Sequence, residues 1–152
     1  CAGGVDVSAF REYDVVDTPD NSVGYILTIK GLHGGHSGTD IHKGYANANK
    51  LMNRILFTCT EKFGLHIASV DGGGLRNAIP RESVAVVTIN KNDEVAFKKE
   101  VATLTQALQH EYSVTEPTLT VLLEPTAVPE KVMEEEEQED VLRALYAAFN
   151  GV

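Results

Sequence analysis

Three histidines lie close together in and just after a glycine-rich stretch. The segment Gly31-Leu-His-Gly-Gly-His-Ser-Gly38 contains His33 and His36, and His42 follows shortly after it. A flexible loop of this kind can bring an imidazole to a substrate oxygen and donate a hydrogen bond to it. A metal site is the second interpretation, because the spacing is His-x2-His-x5-His, but Asp40 is the only nearby carboxylate and leaves the ligand set incomplete. A solvated or locally hydrogen-bonded ring is the third.

A second polar, glycine-rich stretch is Asp71-Gly-Gly-Gly-Leu-Arg-Asn-Ala-Ile-Pro80. Consecutive glycines let a backbone approach a ligand closely, and Arg76 and Asn77 are suited to binding a carboxylate or a carbonyl group. The alternative is a hairpin loop that only connects two strands. The stretch lacks the strand-loop-helix context of a phosphate-binding loop, so it does not indicate a nucleotide site.

Alternating and helical patterns of apolar residues indicate which elements hold these loops. Two amphipathic helices are predicted, at Gly44–Phe63 and at Asp93–Tyr112 with Asn92 as its N-cap. The predicted strands are Tyr25–Leu32, His66–Asp71, Ser83–Ile89 and Leu119–Leu123. The order β-α-β-β-α-β predicts an α+β fold of the ferredoxin-like kind, with a four-stranded antiparallel sheet and both helices on one face.

The flanking segments do not fit this plait. The first of them, residues 1–22, reads as a linker with one strand around Arg11–Val16, and the plait itself is expected over 23–125. A linker and a helix near Glu134–Phe149 occupy 126–152. We expect the apolar stripe of this last helix to cover a domain outside the chain; the stripe comprises Val141, Leu142, Leu145, Tyr146 and Phe149.

Composition restricts the class of protein. The chain has 152 residues and a formal net charge of −9, which argues against binding nucleic acid. Its apolar runs, such as Val84–Ile89, fall far short of the roughly 18–20 residues that span a membrane.

Cys1 and Cys59 form no disulfide framework, and Cys59 is expected to be a buried thiol in a cytoplasmic protein. No signal peptide is visible. Since the chain also lacks an initiator Met, we expect either a processed chain or an excised piece of a longer protein, and we favour excision.

Long stretches of the chain resemble the aminoacyl-histidine dipeptidases, which are cytosolic, carnosine-hydrolysing zinc metallopeptidases. The first stretch is Ile29–Arg54, which contains the histidine loop, and the second is Gly73–Glu82. Cys1-Ala-Gly-Gly resembles the strand by which the chain leaves the catalytic domain of that family. Leu145–Val152 resembles the helix by which it returns, so the resemblance covers essentially the whole chain.

The resemblance implies that the chain is the lid and dimerisation domain of such an enzyme. In the family, a separate catalytic domain binds a pair of zinc ions, and its ligands lie before Cys1 and after Val152. The chain is therefore expected to hold no metal and to be inactive alone. Its expected partners are that catalytic domain, a dipeptide substrate of the Xaa-His type and a second copy of the chain. We expect the second copy to pair through the first helix and an edge strand.

The same resemblance assigns roles to individual residues. His36 is implied to bind the substrate carbonyl and stabilise the oxyanion, either in its own active site or in that of the partner subunit. Asn77 is implied to contact substrate, and Arg76 beside it is the other candidate. One departure from the family pattern is Tyr45, where an arginine is expected.

An alternative function is a free-standing ferredoxin-like regulatory module that binds a small ligand at its sheet or loops. The two hypotheses differ over the last helix. A free-standing module has no reason to end on an amphipathic helix without a partner.

Overall fold

A computed structural model describes residues 7–151, and within them a four-stranded antiparallel sheet forms the centre of the fold. The strands are β1 (Val15–Asp17), β2 (Ser22–Lys30), β3 (His66–Gly72), β4 (Ser83–Asn90), β5 (Thr120–Thr126) and β6 (Lys131–Met133). The helices are α1 (Ala48–Phe63), α2 (Glu94–Glu111) and α3 (Glu135–Ala147). The sheet order β3-β4-β2-β5 confirms the predicted ferredoxin-like plait. The expectations for Cys1-Ala-Gly-Gly and for Val152 concern positions outside the described residues.

Alternation along the two central strands determines which face of the sheet is buried. Tyr25, Leu27 and Ile29 of β2 are all at most 2% exposed, and each pairs with a buried residue of β4: Val87, Ala85 and Ser83 respectively. Residues two apart in a strand point to the same face. This face therefore packs under the helices, and the core cluster joins it to Leu51, Ile55 and their neighbours on α1.

The helix α1 starts four residues later than the sequence predicts. The side chain of Asn47 accepts hydrogen bonds from the backbone nitrogens of Asn49 and Lys50, which makes it the N-cap. The preceding residues Ile41–Lys43 form a separate 3-10 turn. Gly44, which ends that turn at φ 72°, interrupts the helical path where a continuous helix was expected.

Asn92 is not the N-cap of α2, so that prediction is wrong. Asn90 instead accepts from the backbone nitrogen of Asn92 and caps a 3-10 turn over Lys91–Asp93. The helix α2 then begins at Glu94. Asn90 and Asn92 both have the residue type preferred at an N-cap. Asn90 is the cap because β4 ends at that residue and the turn starts directly after it.

The flanking segments pack on the plait more closely than the sequence indicates. β1 lies further along the chain than expected and pairs antiparallel with β6, which was not predicted. Leu142 of α3 is 2% exposed and belongs to the core cluster. The expectation that the stripe of α3 covers a domain outside the chain is therefore wrong for Leu142. Tyr146 and Phe149, at 74% and 82% exposed, remain uncovered by the described residues.

Cys59 on α1 is a buried free cysteine, as predicted, and burial raises the pKa of its thiol to about 12. Among the described residues, no helix is both long enough and apolar enough to cross a membrane.

Candidate functional site

The loop between β2 and α1 lies against the loop between β3 and β4. His36 of the first loop and Ala78 of the second form an isolated antiparallel bridge. The two glycine-rich stretches singled out in the sequence therefore lie side by side. Two further backbone hydrogen bonds join them: Ser37 N to Asn77 O at 3.0 Å, and Ile79 N to Gly35 O at 2.9 Å.

The ring of His36 is held by its own loop. Its Nδ1 accepts hydrogen bonds from the backbone nitrogens of Gly38 (3.0 Å) and Thr39 (3.2 Å). An imidazole nitrogen that accepts from N–H groups carries no proton, so the proton of the neutral ring resides on Nε2. Since His36 is exposed, its Nε2–H group is a donor with a fixed tautomer at the surface of the domain.

Asp40 fixes the backbone on which His36 sits. Its Oδ2 accepts from the backbone nitrogen of His36 at 2.8 Å, and its Oδ1 lies 2.7 Å from Nζ of Lys43. The hydrogen bond from Lys43, followed by that from His36, lowers the pKa of the Asp40 carboxyl below its ordinary value. A carboxylate in this position closes the turn that directs the imidazole.

The other two histidines do not share this arrangement. The ring of His33 stacks on Tyr45 with a centroid separation of 4.1 Å and an interplanar angle of 19°. Tyr45 thus makes an aromatic contact at the position where the resemblance suggested an arginine. His42 is exposed in the 3-10 turn. The structure distinguishes His36 from its neighbours by the two backbone donors on Nδ1.

The second loop presents Arg76 and Asn77 at the surface, where both side chains are exposed. The loop is anchored at its start by Asn49, whose Nδ2 donates to the carbonyl of Gly72 at 3.2 Å. Near its end, the carbonyl of Pro80 accepts from the backbone nitrogen of Ala48 at 3.0 Å. An open cleft of about 320 Å³ runs along it, lined by Gly73, Gly74, Leu75, Ala78, Ile79, Pro80, Arg81 and Glu82.

Arg81 connects the cleft to the histidine loop. Its Nε donates to the carbonyl of Leu32 at 3.3 Å. Its aliphatic stem lies over Gly34, where an added Cβ would approach the Arg81 Cγ to 2.4 Å. Gly34 also has a φ of +73°, so both the backbone conformation and the contact require glycine there.

Glu116 is the site residue that the sequence analysis missed. It is only 2% exposed, and both of its carboxylate oxygens bind the histidine loop. Oε2 accepts from the backbone nitrogen of His33 at 2.6 Å, and Oε1 accepts from that of Ala46 at 2.9 Å. These contacts span 83 and 70 sequence positions, and nothing in the local sequence distinguishes Glu116 from the other acidic residues.

The described residues contain no group of three or more His, Cys, Asp or Glu placed to hold a metal ion. The spacing His-x2-His-x5-His is therefore not assembled into a ligand set in this part of the chain. The arrangement offers a fixed hydrogen-bond donor, a neighbouring cleft and exposed polar side chains. It is suited to binding a polar group presented by another molecule or domain.

The chain is similar to a family of peptidase domains and to two dipeptidases. A family model for the peptidase dimerisation domain matches residues 21–116. The whole chain is 37% identical to the cytosol non-specific dipeptidase of Escherichia coli (strain K12) and covers 31% of that protein. It also aligns with the crystal structure of aminoacylhistidine dipeptidase from Vibrio alginolyticus, with a TM-score of 0.87 and 34% identity over 92% of this chain and 29% of that one.

A more distant similarity concerns the fold alone. The aminobenzoyl-glutamate utilization protein from Klebsiella pneumoniae is 13% identical and has a TM-score of 0.55, covering 90% of this chain and 36% of that one. The chain spans about a third of the length of the two dipeptidases, at 31% and 29%.

Proposed function

The chain belongs to the peptidase dimerisation domain family, and from this premise we propose that it is the lid and dimerisation domain of a zinc-dependent aminoacyl-histidine dipeptidase. The similarity to a dipeptidase over the full 152 residues supports this choice within the family. The parent enzyme would hydrolyse the peptide bond of Xaa-His dipeptides. The domain itself supplies closure over the substrate and a hydrogen-bond donor, and it is inactive alone.

The observation that carries the proposal is that Nδ1 of His36 accepts two backbone hydrogen bonds, which leaves Nε2 as the donor of the neutral ring. Attack on a peptide carbonyl converts its oxygen into an oxyanion, and a donor placed beforehand stabilises that charge without reorganisation. With Nδ1 accepting from Gly38 and Thr39, His36 has its donor in place before substrate arrives. A donor that strengthens its bond only as charge develops raises kcat more than it lowers KM.

Asn77 and Arg76 are proposed to contact the substrate itself. The backbone carbonyl of Asn77 accepts from Ser37 in the histidine loop, and the side chain of Asn77 is exposed. An amide can bind a peptide carbonyl or amine, and a guanidinium can bind the free carboxylate that every dipeptide carries.

Zinc is assigned to the rest of the enzyme. Residues 7–151 contain no group of three or more His, Cys, Asp or Glu placed to hold a metal ion. The proposed ligands lie in the catalytic domain. Segments 1–22 and 126–152 would connect the plait to that domain, and the enzyme would be cytoplasmic, as the name of the Escherichia coli relative suggests for that protein.

A homodimer is proposed because the family takes its name from dimerisation. In such an assembly His36 acts either in its own active site or across the dimer. Mixing two inactive variants separates the alternatives: His36→Ala and a variant that lacks a catalytic-domain metal ligand. Recovery of activity in the mixed dimer indicates action across the dimer, and failure to recover indicates action within one subunit.

The proposal is tested with three proteins: the isolated domain, the parent enzyme, and the parent enzyme in which a short linker replaces the domain. We expect hydrolysis of Xaa-His dipeptides only by the intact parent, with equal zinc content in the two enzyme forms. Hydrolysis by the isolated domain would contradict the proposal. So would an unchanged kcat after removal of the domain.

A further inference from the structure

Glu116 fastens the loop that carries His36 at both of its ends. Its carboxylate oxygens accept separately from the backbone nitrogens of His33 and Ala46, at 2.6 Å and 2.9 Å. The loop begins after Lys30, three residues before His33, and Ala46 directly precedes Asn47, the N-cap of α1. One side chain therefore holds together the two ends of the loop, at His33 and Ala46, which we call the loop neck.

The turn that contains Glu116 is itself anchored. The backbone nitrogen of Glu116 donates to Tyr112 O at 2.7 Å, and its carbonyl accepts from Leu119 N at 3.0 Å. The hydroxyl of Thr118 donates to the carbonyl of Gly31 at 2.6 Å. A Cβ added at Gly31 would lie 2.2 Å from Thr118 O, which shows how closely this turn approaches the start of the loop.

Burying the carboxylate of Glu116 is unfavourable unless hydrogen-bond donors replace the water that it loses. A carboxylate at 2% exposure has lost most of its water, and two backbone N–H groups replace that hydration. Backbone N–H groups in turn need acceptors when they are buried. Moving the loop neck away from Glu116 would leave a buried carboxylate without these two donors.

We propose that Glu116 is a positioning residue that sets the place of His36 by clamping the neck of its loop. This inference rests on the proposed function of His36 and goes beyond it by assigning a residue that touches neither substrate nor imidazole. Beyond the neck, the loop is held by the bridge to Ala78 and by Asp40. Those contacts fix the shape of the loop tip, whereas Glu116 fixes where the tip lies relative to the sheet and α1.

The test is a double-mutant cycle in the parent enzyme with Glu116→Gln and His36→Ala. Glutamine retains the size of the side chain but presents an NH₂ group to one of the two N–H donors. We expect Glu116→Gln to lower kcat about 10- to 100-fold, because small misplacement of a catalytic group has effects of that size, with KM changed less than about 3-fold. In the His36→Ala background, the same change should lower kcat less than about 2-fold.

A matched control is Glu111→Gln, which removes an exposed ion pair with Arg54 from the same helix end and leaves the loop neck intact. It should leave kcat unchanged.

Glu116→Asp, which keeps the charge but shortens the side chain, repeats the comparison if Glu116→Gln unfolds the domain. A loss of kcat that is equal with and without the His36 imidazole overturns the inference, as does an unchanged kcat in Glu116→Gln. The proposed function fails separately, if His36→Ala alone has no effect.

Discussion

Gln138 Oε1 accepts a hydrogen bond of 2.7 Å from the backbone nitrogen of Ile67 at the start of β3. The Nε2 group of the same side chain donates to Leu65 O at 2.8 Å. A side chain thus occupies one backbone pairing group at the start of β3 and one just before it, which a further strand would otherwise use. α3 also packs along one side of α1. That a second copy pairs through the first helix and an edge strand stays a prediction.

We predict that dimerisation uses the opposite edge of the sheet. β5 pairs with β2 on one side, and no other strand of the described residues pairs with it on the other. Pro125 lacks an N–H group, so pairing would concentrate on the first part of the strand. In a Cys1→Ser background, a thiol cross-linker should join copies that carry Glu124→Cys but not copies that carry Ser69→Cys on β3. The reverse pattern would show that β3 forms the interface.

Lys50 is predicted to stabilise α3 through its C-terminal carbonyl groups. Its Nζ donates to Leu145 O (2.7 Å), Tyr146 O (2.9 Å) and Ala148 O (2.6 Å), where a positive charge is favoured by the helix dipole. Lys50→Met should lower the free energy of unfolding by about 1–2 kcal/mol in a urea titration. The control Lys62→Met removes an exposed pair with Glu100 and should cost less than about 0.5 kcal/mol. Equal effects of the two changes would contradict the assignment.

Acid is predicted to loosen the His36 loop through Asp40. The fold lowers the pKa of this carboxyl from its ordinary 3.8, first through Lys43, so the folded loop favours the ionised form. The stabilisation is therefore complete above about pH 4 and is lost as the pH falls through the lowered pKa. The backbone amide signal of His36 in NMR spectra should be constant above that pH and move below it. Asp40→Asn should abolish this titration, and Lys43→Met should shift its midpoint upward; an unaltered midpoint would contradict the assigned cause.

Asn77 and Arg76 are predicted to affect substrate affinity. Asn77→Ala keeps the backbone carbonyl that accepts from Ser37, so the loop should be retained while the side-chain contact is lost. Loss of one substrate hydrogen bond of about 1.4 kcal/mol corresponds to a tenfold rise in KM, measured with an Xaa-His dipeptide. Arg76→Ala should act in the same direction. If neither variant changes KM or kcat, the substrate does not use this loop.

The sequence predicts the plait because the patterns that indicate it are periodic. Apolar residues alternate along the whole of β2 and β4, and they form stripes along the whole of both helices. Patterns of this length are not altered by single contacts with neighbouring elements. β6 is too short to show a period, and its pairing with β1 depends on residues more than a hundred positions away. The choice of Asn90 over Asn92 as a cap depends on where β4 ends.

The sequence likewise predicts only those parts of the site that have a local signal. Glycine spacing indicates the His36 loop and the Asn77 loop, because positive φ values and close approaches require glycine locally. The adjacency of the two loops, the tautomer of His36 and the clamp by Glu116 arise only in three dimensions. A lone acidic residue after a helix carries no local signal of a contact with His33.

The central claim is that His36, and not its neighbouring histidines, donates to the developing oxyanion. The most direct measurement compares kcat and KM of His36→Ala, His33→Ala and His42→Ala in the parent enzyme at equal zinc content. We predict that His36→Ala lowers kcat by about 10²–10³, or roughly 3–4 kcal/mol, with little change in KM. His33→Ala loses a stacking contact with Tyr45, and His42→Ala loses an exposed ring, so both should remain much closer to wild type. A near-normal kcat for His36→Ala, or an equal loss in His33→Ala, would contradict the assignment.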